Sequence, residues 1–524
     1  MTKKAKSIVG GMTILSVSGI VCKLIGMLYS VPMAHVLDDN GMGIYQGVFP
    51  TYNMLLTISS AGLPVAVSRM VAHYLAVDDP RNARRTFHTA VYLLAFLGCL
   101  STLFVLLLRG PLSDLVHQPE AMPGFAAIAP CVTVVCLLSA FRGYIQGQQN
   151  MVPTAISQLI EQVGKVFIAL PLAMLGARRS QALGAAGALL GITLVEGCAL
   201  IYMVVLYLRK RSRLGHYEQS PDAKPIPSRE LASRLLVISI PITIGACIVP
   251  LSQFVDSAML VDRMVVSGLE RLQAQALYGL YQGLVIRLIN IPTALALSIS
   301  MSLMPAISTA FALRDEEDIR RQSGMGLRFA FLIGLPCSVG MSLLSKQILY
   351  FFYGTARTAA QLQTASELLS VSSLTIILFT VVQATSAILQ GLHKQRIPMY
   401  TLIVGVGMKI LANYLIVAIP GVNIHGSPIS SIICYTVSMV PNLLLSLKYA
   451  KMRFDWMSWL VRPGLSAAAM AAVLLLLRSL LPINHFTTIL LIAVGVIVYL
   501  GCAFAVGAMK KEDFAAMRRR KGKR

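Results

Sequence analysis

Cationic side chains inside long apolar runs are the residues of this sequence whose types could do chemistry within a membrane. The run from Tyr281 to Pro305 is long enough to cross a bilayer, yet it contains Arg287, Asn290 and Pro292 near its start. A charge at that depth costs several kcal/mol unless it faces water or a partner. We therefore expect Arg287 to face a wet cavity, with the amide of Asn290 and the carbonyls freed by Pro292 as further polar contacts.

Four more basic residues lie inside apolar runs and extend this expectation. Lys23 lies well inside the first run, with no acidic residue within four positions, and is predicted to face the same cavity. Lys165 and Lys409 are further candidates, although Glu161 lies one helical turn before Lys165 and a local ion pair is the alternative there. Arg142 lies near the end of its run, and extension of its side chain to the membrane surface is the alternative for it.

A cavity with a surplus of cations predicts an anionic substrate. A guanidinium group binds phosphate through paired hydrogen bonds and stays charged in a low-dielectric site. The surrounding runs are rich in Leu, Ile and Met, as the tail of an amphiphile requires. The residues therefore favour an amphiphile with a phosphate head over a cationic drug.

The composition places most of the chain in lipid. Of its 524 residues, 56% are hydrophobic and only 13% are charged, and the mean hydropathy is +0.71. A soluble protein is about one quarter charged. The net charge of +23 comes from basic residues in short gaps between apolar runs, which favours anionic lipid over nucleic acid as the partner.

Fourteen apolar runs are long enough to span a membrane. They cover residues 8–35, 43–76, 86–108, 123–146, 153–175, 183–207, 231–258, 276–312, 327–346, 364–390, 398–418, 427–448, 459–481 and 487–508. The first run is too long for a signal peptide and is expected to be retained as a helix. The sequence thus predicts an all-α polytopic membrane protein with about 14 transmembrane helices.

The orientation of these helices follows from the distribution of Lys and Arg. Alternate gaps, on the side that also carries both termini, hold most of the basic residues. Because basic loops stay in the cytoplasm, both termini are predicted to be cytoplasmic. The basic tail, residues 509–524, is expected to lie against anionic lipid.

The first twelve runs form two matched sets of six. Pro64 lies 241 residues before Pro305, and Gln146 lies 244 residues before Gln390. Because six helices separate the copies, the sequence predicts a parallel repeat around a central cavity, an architecture of transporters that work by alternating access. The predicted parts are an N-lobe (1–207), a cytoplasmic linker (208–230), a C-lobe (231–450), two further helices (451–508) and the tail.

Two stretches carry a resemblance to a known family. They read GYIQGQQNMVPTAISQLIEQVGKV and LQGLHKQRIPMYTLIVGVGMKILANYLI. With the pattern of six, six and two helices, they resemble the polysaccharide-transport and lipid II flippase family of the multidrug/oligosaccharidyl-lipid/polysaccharide exporter superfamily. The likeness is greatest to the stage V sporulation protein B group of Gram-positive bacteria.

The resemblance implies export of undecaprenyl-pyrophosphate-linked saccharides across the bacterial cytoplasmic membrane. The family's R-L-x-x-x-P stretch is RLINIP here, so its cavity arginine carries over to Arg287. The family often has an acidic residue where this chain has Asn290. Its basic run in the first helix appears as CKLIGMLYS, which keeps Lys23 but has Tyr29 and Ser30 where the family has Arg and Asp.

The resemblance also implies coupling to Na⁺ or H⁺, without an organic cofactor. Asp256 is the best isolated carboxylate for such coupling, and Asn413 is a further oxygen donor. The alternative for Asp256 is a position at the outer membrane interface. We expect a monomer whose partners are the lipid-linked substrate and anionic lipids.

Two other functions compete with a flippase. Multidrug efflux uses the same architecture. An excess of acidic residues in the cavity would favour efflux, whereas the excess predicted here is basic. A membrane-embedded glycosyltransferase would need a catalytic constellation on a large external loop, whereas the predicted external gaps are short. The chain has no Walker motif. We therefore expect a transporter that is not an enzyme.

Overall fold

The computed structural model describes residues 29–60, 62–148, 150–214, 225–354 and 357–509, together with residues 18, 21–22 and 25–26. Lys23 lies outside the described residues, as do most of the first predicted run, the centre of the linker and nearly all of the basic tail.

Every regular element in the described ranges is a helix. The first helix, α1, includes residues 29–36. The others are α2 (Asp39–Ser60), α3 (Leu63–Ala76), α4 (Pro80–Leu107), α5 (Arg109–Leu115), α6 (Met122–Gly147), α7 (Val152–Gly164), α8 (Leu170–Ala177), α9 (Gln181–Leu214), α10 (Ser228–Val266), α11 (Arg271–Leu280), α12 (Ile286–Ala312), α13 (Glu316–Leu343), α14 (Ser345–Tyr353), α15 (Ala359–Ser372), α16 (Leu374–Gly391), α17 (Arg396–Ile416), α18 (Gly426–Tyr449), α19 (Arg462–Leu480) and α20 (His485–Ala505). Three π-helical turns, Lys165–Ala169, Tyr281–Val285 and Met457–Val461, lead into α8, α12 and α19.

Eleven helical stretches of the described chain are long and apolar enough to cross a membrane. This confirms the predicted class of an all-α polytopic membrane protein. The count of fourteen spans stays a prediction.

The chain forms two compact units. The first contains Met1–Asp262 and Glu270–Gly279, and the second contains Arg263–Leu269 and Leu280–Arg524. In the first unit α6 packs between α4 and α9, and in the second α16 packs against α12, α13 and α18. The predicted lobes divide instead at the linker 208–230. That division rests on the sequence repeat and stays a prediction.

The turns that lead into α4 and α13 have the same conformation. Asp78 and Arg314 have φ angles of 53° and 56°. The next residues, Asp79 and Asp315, cap their helices by accepting a hydrogen bond from the backbone N–H three positions on, at 3.0 and 2.9 Å. Each also donates its own N–H to the carbonyl five positions earlier, at 2.8 and 3.0 Å. Equivalent residues in these turns lie 236 positions apart.

This spacing corrects the predicted match of Pro64 with Pro305, which lie 241 positions apart. Pro64 lies at the start of α3, where the chain begins a new helix after Gly62. Pro305 lies inside α12, which is continuous at the corresponding point. Pro64 therefore belongs to a break between two helices of the first copy, and the second copy has no break at the equivalent point. The residue equivalent to Pro64 is Ser300.

The corrected spacing reveals a repeat that our sequence analysis missed. Residues 43–47 read GIYQG, and residues 279–283 read GLYQG. In the first compact unit α2 and α11 cross at these motifs: a Cβ on Gly43 would lie 2.5 Å from the Gln275 carbonyl oxygen, and one on Gly279 would lie 2.1 Å from that of Asp39. Because Asp39 and Gln275 are also 236 positions apart, each copy contacts the other in the same way, as across a two-fold axis. Only glycine permits this approach.

Candidate functional site

A buried ion pair joins α6 and α7 in the first compact unit. Arg142 donates hydrogen bonds to the Ser157 hydroxyl from Nε (2.9 Å) and Nη2 (2.8 Å), and its Nη2 also pairs with Glu161. The side chains of Arg142 and Glu161 are only 16% and 11% exposed. These contacts hold the guanidinium between two helices, so Arg142 does not extend to the membrane surface.

The local ion pair of Glu161 with Lys165, the alternative considered for Lys165, is not among the described salt bridges. Glu161 pairs instead with the guanidinium of the neighbouring helix. Lys165 is half-buried and opens the π-helical turn Lys165–Ala169.

A second acid completes the cluster. Glu196 on α9 is 7% exposed, and its carboxyl group lies within hydrogen-bonding reach of Glu161. The charges of Arg142 and Lys165 act on Glu196 as well. Two basic and two acidic side chains, from three helices and the π-helical turn that follows α7, therefore form a formally neutral group, the α6–α7–α9 cluster. Any role of Arg142 or Lys165 in substrate binding stays a prediction.

The second compact unit holds the predicted cavity arginine. Arg287 is half-buried and lies two residues after the π-helical turn Tyr281–Val285. Such turns frequently occur at functional sites because they interrupt the regular helix. The charge of Arg287 acts on the phenol of Tyr353 at the end of α14, where burial raises the phenol pKa and Arg287 opposes the rise.

The other predicted residues divide between the two units. Asn290 has an exposed side chain, and its carbonyl accepts a hydrogen bond from the Thr293 hydroxyl at 3.0 Å. Lys409 and Asn413 lie one turn apart on α17, half-buried and fully buried respectively. Asp256 on α10 is buried and belongs to the first unit. Asp256 and Asn413, the predicted ion-coupling residues, are thus parts of different units.

Three polar residues of the cluster, Ser157, Glu161 and Glu196, were not among the predicted site residues, and Glu161 was considered only as a partner of Lys165. Ser157 lies one turn before Glu161, so a polar stripe along α7 was a signal for it. Glu196 lies in the apolar run 183–207, where an isolated carboxylate indicates a buried partner on another helix.

Comparisons with known proteins identify the family. A model described as polysaccharide biosynthesis protein matches residues 8–311, and one described as MatE matches residues 241–415. The lipid II flippase MurJ of Bacillus subtilis (strain 168) is 23% identical over 96% of each chain. The stage V sporulation protein B of the same organism is 25% identical over 80% of each chain.

A solved structure has the same fold. The lipid II flippase MurJ in an inward closed conformation superposes with a TM-score of 0.71 at 13% identity, covering 93% of this chain and 97% of that one. The helical architecture, the two matched halves and these likenesses agree. The chain belongs to the polysaccharide biosynthesis protein family, within the exporter superfamily of multi-pass membrane flippases and transporters.

Proposed function

We propose that the protein moves an undecaprenyl-pyrophosphate-linked saccharide, such as a cell-wall or polysaccharide precursor, across the cytoplasmic membrane by alternating access. The relatives named as lipid II flippase and sporulation protein support this substrate class. The observation that carries the proposal is the position of Arg287, half-buried in an apolar helix directly after a π-helical turn.

The chemistry of the second unit fits a diphosphate head. A guanidinium group offers a planar pair of donors to phosphate oxygens and keeps its charge in a low-dielectric site. Lys409 adds a second half-buried cation in the same unit. The proposal assigns the main grip on the diphosphate to Arg287, with Lys409, Lys23, Lys165 and Arg142 as further cations and Asn290 as a polar contact.

Alternating access needs a closure that can open, and the α2–α11 crossing is suited to that role. Its contacts include the close backbone approaches at Gly43 and Gly279 and a hydrogen bond from the Tyr278 hydroxyl to the Gln46 carbonyl at 3.2 Å. We propose this crossing as the outer gate, held by the close approach of the two backbones at Gly43 and Gly279.

The proposal includes coupling to Na⁺ or H⁺. Asp256 and Asn413 offer oxygen ligands for a hard cation. Substitution of Asp256 by Asn should remove the dependence of transport on that ion while leaving substrate binding in place.

Multidrug efflux is the second candidate. The MatE match over residues 241–415 favours it, as do the buried acids of the first unit, because a cationic drug requires negative partners. The two candidates predict opposite preferences for charge.

Binding measurements on purified protein separate them. We expect undecaprenyl pyrophosphate to bind more tightly than a lipophilic cation, and Arg287→Ala to weaken the pyrophosphate about 10-fold or more, the loss of one charge-assisted bidentate contact. Arg320→Ala is the matched control, because Arg320 pairs with Glu316 on the exposed start of α13. A preference for the lipophilic cation would replace the flippase proposal with efflux.

A further inference from the structure

A basic pocket lies between α3 and α10 in the first compact unit, away from the residues assigned above. The two helices touch where the Gly62 N–H donates to the Thr243 hydroxyl at 3.2 Å, and again where Arg234 donates to the Tyr74 hydroxyl at 3.3 Å. Beside the second contact the helices leave a cavity of about 370 Å³. Arg69, His73 and Arg234 line it.

The charge of this pocket is positive and largely uncompensated. Arg234 is held in place by Glu230, one turn earlier on α10, at 2.6 Å. Arg69 is exposed at the mouth of the pocket and makes no hydrogen bond or ion pair with the described residues. With one acid against two arginines, the pocket has at least one free guanidinium. Charge-assisted pairing makes such a group a phosphate ligand.

The rest of the wall is apolar. Met70 completes the α3 side, and Val237 and Ile238 complete the α10 side. The Val237 side chain is 70% exposed on the outer surface of its helix. A ligand that fills this cavity must offer an anion to the arginines and hydrocarbon to the valine face. A membrane lipid with a phosphate head meets both requirements.

The level of the pocket in the membrane agrees with this chemistry. It lies at the end of α3 that leads into α4, whose first turns carry Arg81, Arg84 and Arg85, and at the start of α10 after the basic linker. Both are predicted to be cytoplasmic, where anionic lipids attract basic residues. The equivalents of Arg69 and His73 in the second copy, 236 positions on, are Pro305 and Thr309. The basic character is therefore particular to this place and is not required by the repeated fold.

We propose that the α3–α10 pocket binds the phosphate head of a lipid in the cytoplasmic leaflet, with Arg69 as its main ligand and Arg234 and His73 as supporting donors. Tyr74 and Glu230 orient Arg234. If the lipid is the proposed substrate, the pocket is a first capture point for it; if it is a phospholipid, the pocket is a regulatory or stabilising site.

Native mass spectrometry of the full-length protein tests this proposal, because it counts bound lipids without requiring transport. The probe is dioleoylphosphatidylglycerol, titrated against the wild type, Arg69→Gln and the control Arg229→Gln. Arg229 lies at the exposed start of α10, outside the pocket. We expect Arg69→Gln to weaken one binding event about 10-fold and Arg229→Gln to change it less than about 2-fold, since only Arg69 loses a bidentate contact.

Further titrations show whether the bound phosphate head belongs to the proposed substrate or to a phospholipid. Undecaprenyl pyrophosphate that competes at the same site, with the same loss in Arg69→Gln, would identify it as a capture point. Phosphatidylglycerol without such competition would identify a phospholipid site. Equal losses in the two variants, or displacement of the lipid by millimolar inorganic phosphate, would overturn the proposal. Because no arm measures transport, failure here and failure of the proposed flippase function are distinguishable.

Discussion

The α6–α7–α9 cluster of the first unit and the matching helices α16, α17 and α18 of the second show how two copies of one design diverge. At the predicted spacing of 244 residues, Arg142 and Glu161 correspond to Ser386 and Gly405. The first copy thus holds an ion pair where the second has a hydroxyl and a glycine.

The partner helix differs in the same sense. Glu161 meets Glu196 across the first copy, whereas Gly405 meets Ser438 in the second. A Cβ on Gly405 would lie 2.2 Å from the Ser438 hydroxyl and 2.6 Å from the Cys434 carbonyl oxygen, so α17 and α18 approach with their backbones. Small residues at such contacts are a common means of helix packing in membranes.

Buried charge is therefore a feature of particular helices in this fold, because the matching helices pack together without it. The second copy forms the same bundle with small neutral residues. The first copy keeps four ionisable side chains at this place, at an energetic cost. Lys165 and Lys409 occupy matched positions, so the lysine is the charge that both copies share.

Removing the guanidinium group of Arg142 should have the largest effect on the stability of the protein. We expect Arg142→Ala to lower the free energy of unfolding by about 3–5 kcal/mol, because it leaves Glu161 buried without its cation. Thermal unfolding of the purified protein measures the change. Ser386→Ala at the matched position is the control, and its effect should stay within about 0.5 kcal/mol. Similar losses for both variants would show that the ion pair does not distinguish the copies.

The α2–α11 crossing offers the next largest effect, because it joins both copies at one point. In Gly279→Ala the new Cβ would lie 2.1 Å from the Asp39 carbonyl oxygen, so the crossing must loosen. Overpacking of about 1–3 kcal/mol should favour an open gate. We expect a cysteine placed at the buried Tyr278 to react with a maleimide about 10-fold faster in this variant. Gly110→Ala adds its methyl group where nothing lies within 4 Å and should leave the rate unchanged. An unchanged maleimide reaction rate in Gly279→Ala would show that the α2–α11 crossing is not the outer gate.

The glycine contact of the second copy should give a smaller effect on stability. Gly405→Ala should destabilise the protein by about 1–2 kcal/mol, since α17 and α18 must separate slightly. Gly407→Ala, on the same helix with nothing within 4 Å of its Cβ, should be neutral or slightly stabilising. The difference between the two melting temperatures measures the contact. If both variants behave alike, close backbone packing does not explain the neutral bundle.

A carboxylate outside both copies supplies a baseline for pH effects. Asp455 accepts a hydrogen bond from the Ser458 N–H at 3.0 Å at the start of the π-helical turn before α19, and hydrogen bonds from Ser458 lower its pKa. Because the folded-state pKa is lowered, its stabilisation is present above the unfolded-state pKa and is lost as the pH falls through the folded-state value. We expect Asp455→Asn to change the free energy of unfolding by less than about 1 kcal/mol at pH 7, with a smaller difference below pH 4. A difference that grew below pH 4 would contradict this sign.

The sequence predicted the fold class because apolar runs of bilayer length allow few alternatives. Arg287 was predicted as a site residue because a charged side chain in such a run needs water or a partner, and its role stays a prediction. The sequence offered Lys165 as a possible partner of Glu161, since spacing along one helix identifies only neighbours on that helix, whereas the structure pairs Glu161 with Arg142 on α6. The repeat was predicted at Gln146 and Gln390, but Pro64 was matched to Pro305 because a shared residue type was taken for a shared position. The turns before α4 and α13, with their positive φ angles and aspartate caps, define the equivalence instead.

The central claim is that the protein carries a lipid-linked pyrophosphate from one leaflet to the other, and its direct test is a leaflet-resolved assay in proteoliposomes. A fluorescent undecaprenyl-pyrophosphate saccharide is incorporated into both leaflets, and an impermeant quencher measures the fraction accessible from outside over time. The account predicts that the purified wild type makes the protected fraction accessible within minutes, that Arg287→Ala does so at the rate of empty vesicles, and that Arg320→Ala matches the wild type. A wild-type rate equal to that of empty vesicles, under an imposed Na⁺ or H⁺ gradient and membrane voltage, would contradict it.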